Sequence, residues 1–294
     1  MNISSGDLKK ALVDLYRRAA TELPPDIVEA LQAGMTNEVA GSVGAGALIT
    51  IVENARLARE KGKPICQDTG VPVFYIYLPR GVSMKTIHDI VIDATRKATA
   101  SIPLRPNAVD TLTGKNSGDN VGRSAPIIHF EESDNQEITF ELMLKGGGSE
   151  NISKIYKLPD GALEAGRDLE GVRRCVVDAV YQAQGKGCPP IIAGVAFGGL
   201  QDETFRMAKY QLFRKLSDSN PVLELAALED RLLKEANRLE IGPAGMGGHT
   251  GVLGVKIASL HRHPASYFVA VCFVCWACRR ATMVYGEDGA RYEQ

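Results

Sequence analysis

The sequence lacks any apolar run long enough to cross a membrane. Its longest candidate, Tyr267 to Cys278, stops at Arg279-Arg280, short of the ~20 residues a spanning helix needs. It also lacks an excess of either charge: 34 Lys plus Arg stand against 35 Asp plus Glu, a net charge of -1. No broad basic field therefore exists to hold nucleic acid or an anionic membrane. The opening MNISSGDLKKAL has no apolar stretch of a secretion signal and passes directly into a helical pattern, which predicts a cytoplasmic protein. Cysteine is sparse, at six in 294 residues, and without a signal peptide a disulfide framework is excluded in favour of reduced thiols. Structural zinc sites show paired C-x-x-C knuckles or companion histidines at short spacing, and here only the strand-like Cys272 to Cys278 run comes close, which disfavours zinc. Neither G-x-G-x-x-G nor a phosphate-binding G-x-x-x-x-G-K-[ST] occurs, which disfavours a nucleotide.

What is present has the balance of a compact protein, with 45% hydrophobic and 23% charged residues. Leu8, Leu12, Leu15 and Tyr16, then Ile27 and Leu31, then Leu48, Ile51, Val52 and Ala55 recur at helical spacing, so the first sixty residues read as helices. Val71 to Leu78 reads as a strand and Ile87 to Ala98 as a helix. Residues 101 to 125 carry Pro, Asn, Gly and Asp without periodicity, and so long an irregular segment marks a candidate site. Strands follow at Ile127 to Phe130 and Ile138 to Leu144, joined by the polar stretch Glu131 to Gln136. Leu169 to Val180 is helical, Ile191 to Phe197 a buried strand, Thr204 to Leu216 and Val222 to Leu239 helices, and Gly251 to Leu260 and Tyr267 to Val274 strands. Strands and helices alternate loosely, and no linker or repeat divides them. The prediction is one large α/β domain over residues 1–294, a mixed sheet covered by helices.

Three cysteines border turns or strand ends: Cys66 in PICQDTG, Cys188 in GKGCPP, and Cys275 in CFVCWACRR. A thiolate that binds iron needs an approachable backbone with N–H donors near its sulfur, and Gly or Pro punctuation supplies that setting. Cys175 lies inside a helical pattern and reads as a structural thiol. Cys272 and Cys278 each stand three residues from Cys275, so along a continuous strand both point away from it. Any one of these thiols alone would equally suit a core, since cysteine is among the most buried residue types.

Several polar groups could handle a small acid. Gln67 and Asp68 follow Cys66 directly, although Asp68-Thr69-Gly70 by itself is an ordinary turn. Arg105 sits between prolines in the irregular segment, where its guanidinium could pair bidentately with a carboxylate. Lys145 to Asn151, KGGGSEN, could present backbone N–H groups to an anion. Gly242 to His249 is a second glycine-rich segment. His261 and His263 flank Arg262 and share one face if that stretch is extended.

Together, in order, PICQDTG, KGGGSEN, Cys188-Pro189-Pro190, NRLEIG at Asn237 to Gly242, and RHPAS leading into CWACRR define a resemblance. From about residue 10 to 285 the chain resembles the iron–sulfur (class I) fumarate hydratases, specifically their α subunit or N-terminal domain, and the related α subunit of L-tartrate dehydratase. The resemblance implies a 4Fe-4S cluster held by Cys66, Cys188 and Cys275, with one iron free of protein thiolate. It implies Asp68 and His263 as the proton-transferring groups, and Gln67, Arg105 and the Gly148 amide as holders of the substrate carboxylates. It further implies a separate β subunit that completes the site, hence a hetero-oligomer. The expected reaction is reversible hydration of fumarate to L-malate, with dehydration of L-tartrate to oxaloacetate as the alternative. A cluster-binding carrier or sensor without hydratase chemistry is the alternative of a different class.

Overall fold

The structure, a computed structural model, describes residues 4–293. In chain order the helices are α1 (Ser5–Thr21), α2 (Pro25–Asn37), α3 (Val43–Lys61), α4 (Met84–Ser101), α5 (Gly147–Asn151), α6 (Leu169–Ala183), α7 (Gln201–Tyr210) and α8 (Leu223–Asn237). The strands are β1 (Val71–Pro79), β2 (Ile127–Ser133), β3 (Ile138–Lys145), β4 (Lys154–Lys157), β5 (Ile191–Phe197), β6 (Val252–Ser259), β7 (Phe268–Val274), β8 (Arg280–Gly286) and β9 (Gly289–Glu293). The mixed α/β class is as the sequence predicts. The strands divide into two sheets, however, and the chain into two compact units, each with its own core.

The first unit comprises Met1–Pro25, Asn54–Gly147 and Ala277–Gln294. Its sheet has the order β2-β1-β3-β8-β9, with β1 parallel to β2 and antiparallel to β3. The predicted strands at 127 and 138 are both present, yet they lie on either side of β1, so residues 134–137 pass over the end of that strand. Phe74, Ile76 and Leu78 of β1 and Phe140, Leu142 and Leu144 of β3 form a core with Leu8, Leu12 and Leu15 of α1 and Ile87, Val91 and Ala94 of α4. Their period of two on strands and of three to four on helices is what turns one face of each element inward. Ser4 and Ser83 cap α1 and α4 by accepting the N–H groups of Asp7 and Thr86. Between the helices, the Tyr16 hydroxyl bonds Thr95 at 2.7 Å, so the deeply buried phenol keeps a partner.

The second unit comprises Asp26–Glu53 and Gly148–Trp276, and its sheet has the order β4-β7-β5-β6. In this sheet β5 is parallel to β6 and antiparallel to β7. Helices α6 and α8 cover one face through Val172, Val176, Leu228 and Leu232, packed on Val195, Val255, Val271 and Phe273. The α7 segment covers the other face. There Gly194 of β5 lets a helix backbone approach, since a Cβ at that position would stand 2.2 Å from the Ala208 carbonyl oxygen. Burial on both faces explains why β5 and β7 read as unbroken apolar runs.

Three local features bear on the sequence reading. Within KGGGSEN, Lys145 ends β3 and Gly147–Asn151 form the short helix α5. Strand β7 ends at Val274, so the alternation argument does not extend to Cys275 and Cys278. Strands β4, β8 and β9 carry too few apolar residues in alternation to have been predicted.

The second unit also holds a buried ion pair. Glu229, 7% exposed, accepts from Arg214 at 2.8 Å, from Asn220 at 2.8 Å and from the Ile257 N–H at 2.7 Å. Arg214 also pairs with Asp218 through Nε and Nη2 at 2.9 Å, so removing Glu229 leaves that cation one carboxylate and takes the acceptor from the buried Ile257 N–H. Glu229→Ala is expected to lower unfolding free energy by about 1–3 kcal/mol, measured as a shift of the urea midpoint with unchanged slope.

Candidate functional site

In the first unit, the site grows from one end of the five-stranded sheet. The residues entering β1, leaving β3 and entering β8 all lie there, because β3 is antiparallel to both neighbours. Cys66 precedes β1 in a bend held by two bonds of its neighbour Ile65: its N–H donates to Ala20 O at 2.9 Å, and its carbonyl accepts from Asn54 Nδ2 at 2.8 Å. Gly70 then turns the chain with φ of 79°, and a Cβ there would sit 2.6 Å from the Leu144 carbonyl carbon. Glycine is required at this position, and the close approach brings Asp68 against the end of β3.

The Asp68 carboxylate is held at both oxygens. Oδ1 accepts the Gly70 N–H at 3.0 Å and Oδ2 the Gly147 N–H at 2.9 Å. Such a carboxylate is oriented while retaining further lone pairs for another proton or donor. Asp68 and Cys66 are half-buried and Gln67 is exposed.

The irregular segment 101–125 folds onto this turn. Thr69 Oγ1 accepts the Arg105 N–H at 3.0 Å, and Asn107 Nδ2 donates to Gly70 O at 2.9 Å. Asn120, buried with φ of 60°, donates to Arg105 O at 3.0 Å and accepts the Asn107 N–H at 2.6 Å. This network fixes the Arg105 backbone beside Asp68-Thr69 while its side chain stays exposed. Sequence reasoning missed Asn107 and Asn120. The only signal was their place in a long loop of polar turn-formers, where asparagine tolerates the left-handed region and bonds to nearby backbone. It also missed Arg279, 2% exposed and immediately before β8.

In the second unit, Cys188 and Cys275 lie at one end of the four-stranded sheet. Ile192 of β5 pairs with Val274 of β7, so the chain before β5 and the chain after β7 emerge side by side. Cys188 is exposed in the left-handed region, φ 53° and ψ 62°, at the end of the turn Gln184–Gly187. A non-glycine residue there costs about 1–2 kcal/mol and persists only where its surroundings hold it. They do so: the glycine-rich segment 242–248 packs on that turn, with the Ala244 N–H donating to Pro189 O at 2.7 Å. Gly148 at the start of α5 stands near the same turn, 3.9 Å from Lys186 O measured from the place of a Cβ.

His263 is placed differently. It lies between β6 and β7, whose adjoining ends are at the other end of the sheet from Cys188 and Cys275. Seven-residue strands at roughly 3.3 Å per residue separate them by about 20 Å. The segment is not extended but turns at Pro264-Ala265. The Ala265 N–H donates to His263 Nδ1 at 3.1 Å, so the neutral ring carries its proton on Nε2 and offers it outward.

The six cysteines sort by burial. Cys66 and Cys275 are half-buried and Cys188 exposed, whereas Cys175, Cys272 and Cys278 are buried. The buried three have structural surroundings. Burial, with Asp160 and Asp178 nearby, pushes the Cys175 thiol up to about 12, Cys272 donates to Phe205 O at 3.8 Å, and Cys278 accepts from Arg280 at 3.4 Å. The other three are the cysteines that solvent or a metal centre could reach. Among the described residues no three His, Cys, Asp or Glu side chains gather around a single metal ion, and no helix is long and apolar enough to cross a membrane.

Residues 9–284 match the family model for fumarate hydratase (Fumerase). A Geobacillus stearothermophilus protein provisionally named a class I fumarate hydratase is 45% identical over 276 residues, covering 93% of this chain and 54% of the relative. The chain thus spans about half the length of that relative. A Methanocaldococcus jannaschii protein provisionally named an L(+)-tartrate dehydratase subunit alpha is 38% identical, covering 93% of this chain and 96% of the relative. The L(+)-tartrate dehydratase subunit alpha of Escherichia coli strain K12 is 31% identical, covering 96% of this chain and 91% of the relative. Matched over nearly all of its length by that model and by these relatives, the chain belongs to the fumarate hydratase (Fumerase) family.

Proposed function

We propose that the chain is the α subunit of an iron–sulfur hydro-lyase that reversibly hydrates fumarate to L-malate and is completed by a separate β subunit. The observation that carries this reading is the sorting of the thiols. Cys66, Cys188 and Cys275, the cluster ligands implied by the resemblance, are the three of six that are not buried, and all three lie in bends or beyond strand ends. Three thiolates at such places suit a 4Fe-4S cluster with one iron left without a protein ligand. When bound, that cluster supplies a Lewis-acidic iron for the substrate's hydroxyl and carboxylate.

The chain's own residues supply the rest. Asp68, two residues beyond Cys66 and held by the Gly70 and Gly147 N–H groups, takes the proton next to a substrate carboxylate. Arg105, its backbone tied to Thr69, presents a planar guanidinium that pairs bidentately with a carboxylate. Gln67, exposed beside Asp68, adds an amide donor. The Gly148 N–H belongs to the first turn of α5, where amides have no partner within the helix, and it serves the carboxylate from beside the Cys188 turn.

His263 offers Nε2–H and so suits the acid that helps hydroxide depart. A centre held by Cys188 and Cys275 does not receive it from the same chain, because it stands at the far end of their sheet. We therefore assign its part in the reaction to a second copy of the chain.

Fumarate is preferred because the relative named for it is 45% identical against 38% and 31% for those named for tartrate. The L-tartrate reading draws on the near-complete match in length to the subunits named alpha. Those names also support the β subunit.

Anaerobic co-expression with the complementary subunit should give fumarate hydration in a direct absorbance assay, without L-tartrate dehydration. Tartrate turnover alone would change the substrate and keep the site. Single Cys→Ser variants at 66, 188 and 275 should lose cluster absorbance and bound iron, while those at 175, 272 and 278 retain both. Asp68→Asn should lower kcat by ~10²–10⁴-fold with iron content unchanged. Co-assembled Asp68→Asn and His263→Asn chains should recover activity that neither variant has alone; absence of recovery would remove His263 from service to a second copy.

A further inference from the structure

We propose that Arg279 is a positioning residue for Asp68: a buried guanidinium that faces the carboxylate across Gly146 and keeps it aimed. The side chain is 2% exposed, and its backbone closes the β3–β8 pair, with the Leu144 N–H donating to Arg279 O at 2.8 Å. Arg279 Nε donates back to Leu144 O at 3.3 Å, which fixes the plane of the guanidinium. Nη1 is buried without a hydrogen-bond partner among the described residues. Nη2 lies 3.0 Å, and Asp68 Oδ2 3.1 Å, from the point that a Cβ on Gly146 would occupy. Nη2 and Oδ2 thus flank Gly146 at no more than about 6 Å from one another, without a direct hydrogen bond.

A guanidinium remains protonated in a protein, and burying it without an anion is costly. The other cations at this sheet end, Lys145 and Arg280, bear the same sign and do not balance it; Lys145 donates to Gly146 O and Arg280 to Cys278 Sγ. Asp68 is the carboxylate facing Arg279 across Gly146, and the Gly70 and Gly147 N–H groups fix both of its oxygens from the opposite chain segments. Burial keeps Arg279 from touching substrate, so it acts through Asp68. The effect on turnover rests on the hydro-lyase reading, whereas the coupling of the two side chains does not.

The test is a double-mutant cycle in the full chain: Asp68→Asn, Arg279→Met and the pair, each measured for thermal midpoint, and for kcat and KM after assembly with the complementary subunit. Asp68→Asn strands the Arg279 charge, so adding Arg279→Met should recover stability, with the pair about 2–4 °C above the sum of the single shifts. Arg279→Met should lower kcat by about 10–100-fold with KM within about twofold, and Arg279→Lys should restore part of it. Additive midpoints, or a raised KM with unchanged kcat, would overturn the proposal. If Asp68→Asn does not fold, Gly146→Ala places a methyl group between the two and should give the same loss of kcat; an unchanged kcat would overturn the proposal. A wild-type assembly without turnover but with coupled midpoints would sink the hydro-lyase reading and leave the Arg279–Asp68 pairing standing.

Discussion

The close approach of the Gly70 backbone to Leu144 and Lys145 is the constraint on which the first unit's candidate residues depend. No side chain fits between them, so the turn after Cys66 lies directly on the last residues of β3. Asp68 then reaches the Gly147 N–H, Thr69 reaches Arg105, and the buried Arg279 lies beyond Gly146. A carboxylate, a thiol and two arginines are thereby gathered by strand ends that are adjacent only through sheet pairing. A site built on strand ends inherits the rigidity of the ladder, while the loop carrying Arg105 is rigid only because asparagine and threonine side chains tie it down.

The second unit uses a different device. Antiparallel pairing of β5 and β7 brings out Cys188 and Cys275 at one sheet end, and the glycine-rich segment 242–248 supports the strained turn at Cys188. That segment has no polar group aimed at a ligand in its sequence, and its contribution is mechanical. Glu38 holds its far end by accepting the N–H groups of His249 and Thr250, a buried carboxylate whose bonds repay its desolvation.

The thiols illustrate how burial separates chemistry from packing. Cys272 faces α7 from within β7, Cys175 lies on the buried face of α6, and Cys278 sits beneath Arg280. Each is apolar filling with a weak polar tip. The remaining three are where backbone turns leave sulfur accessible, which is the condition for metal chemistry and a poor location for a structural thiol.

By itself the sequence determined the α/β class, most helices, the buried strands and the identity of the candidate ligands, because these depend on local periodicity and on residue types at turns. The motif that begins at Pro64 carried Cys66, Gln67 and Asp68 together for the same reason: they are neighbours in the chain. Only the tertiary structure decided that the strands form two sheets, that β1 separates β2 from β3, and that His263 lies at the far end from Cys188 and Cys275. It alone showed Asn107, Asn120 and Arg279 around the Asp68 turn, since their partners stand between 13 and more than 100 positions away in sequence. Strand order and register are set by which apolar faces pack together, and no local spacing records that choice.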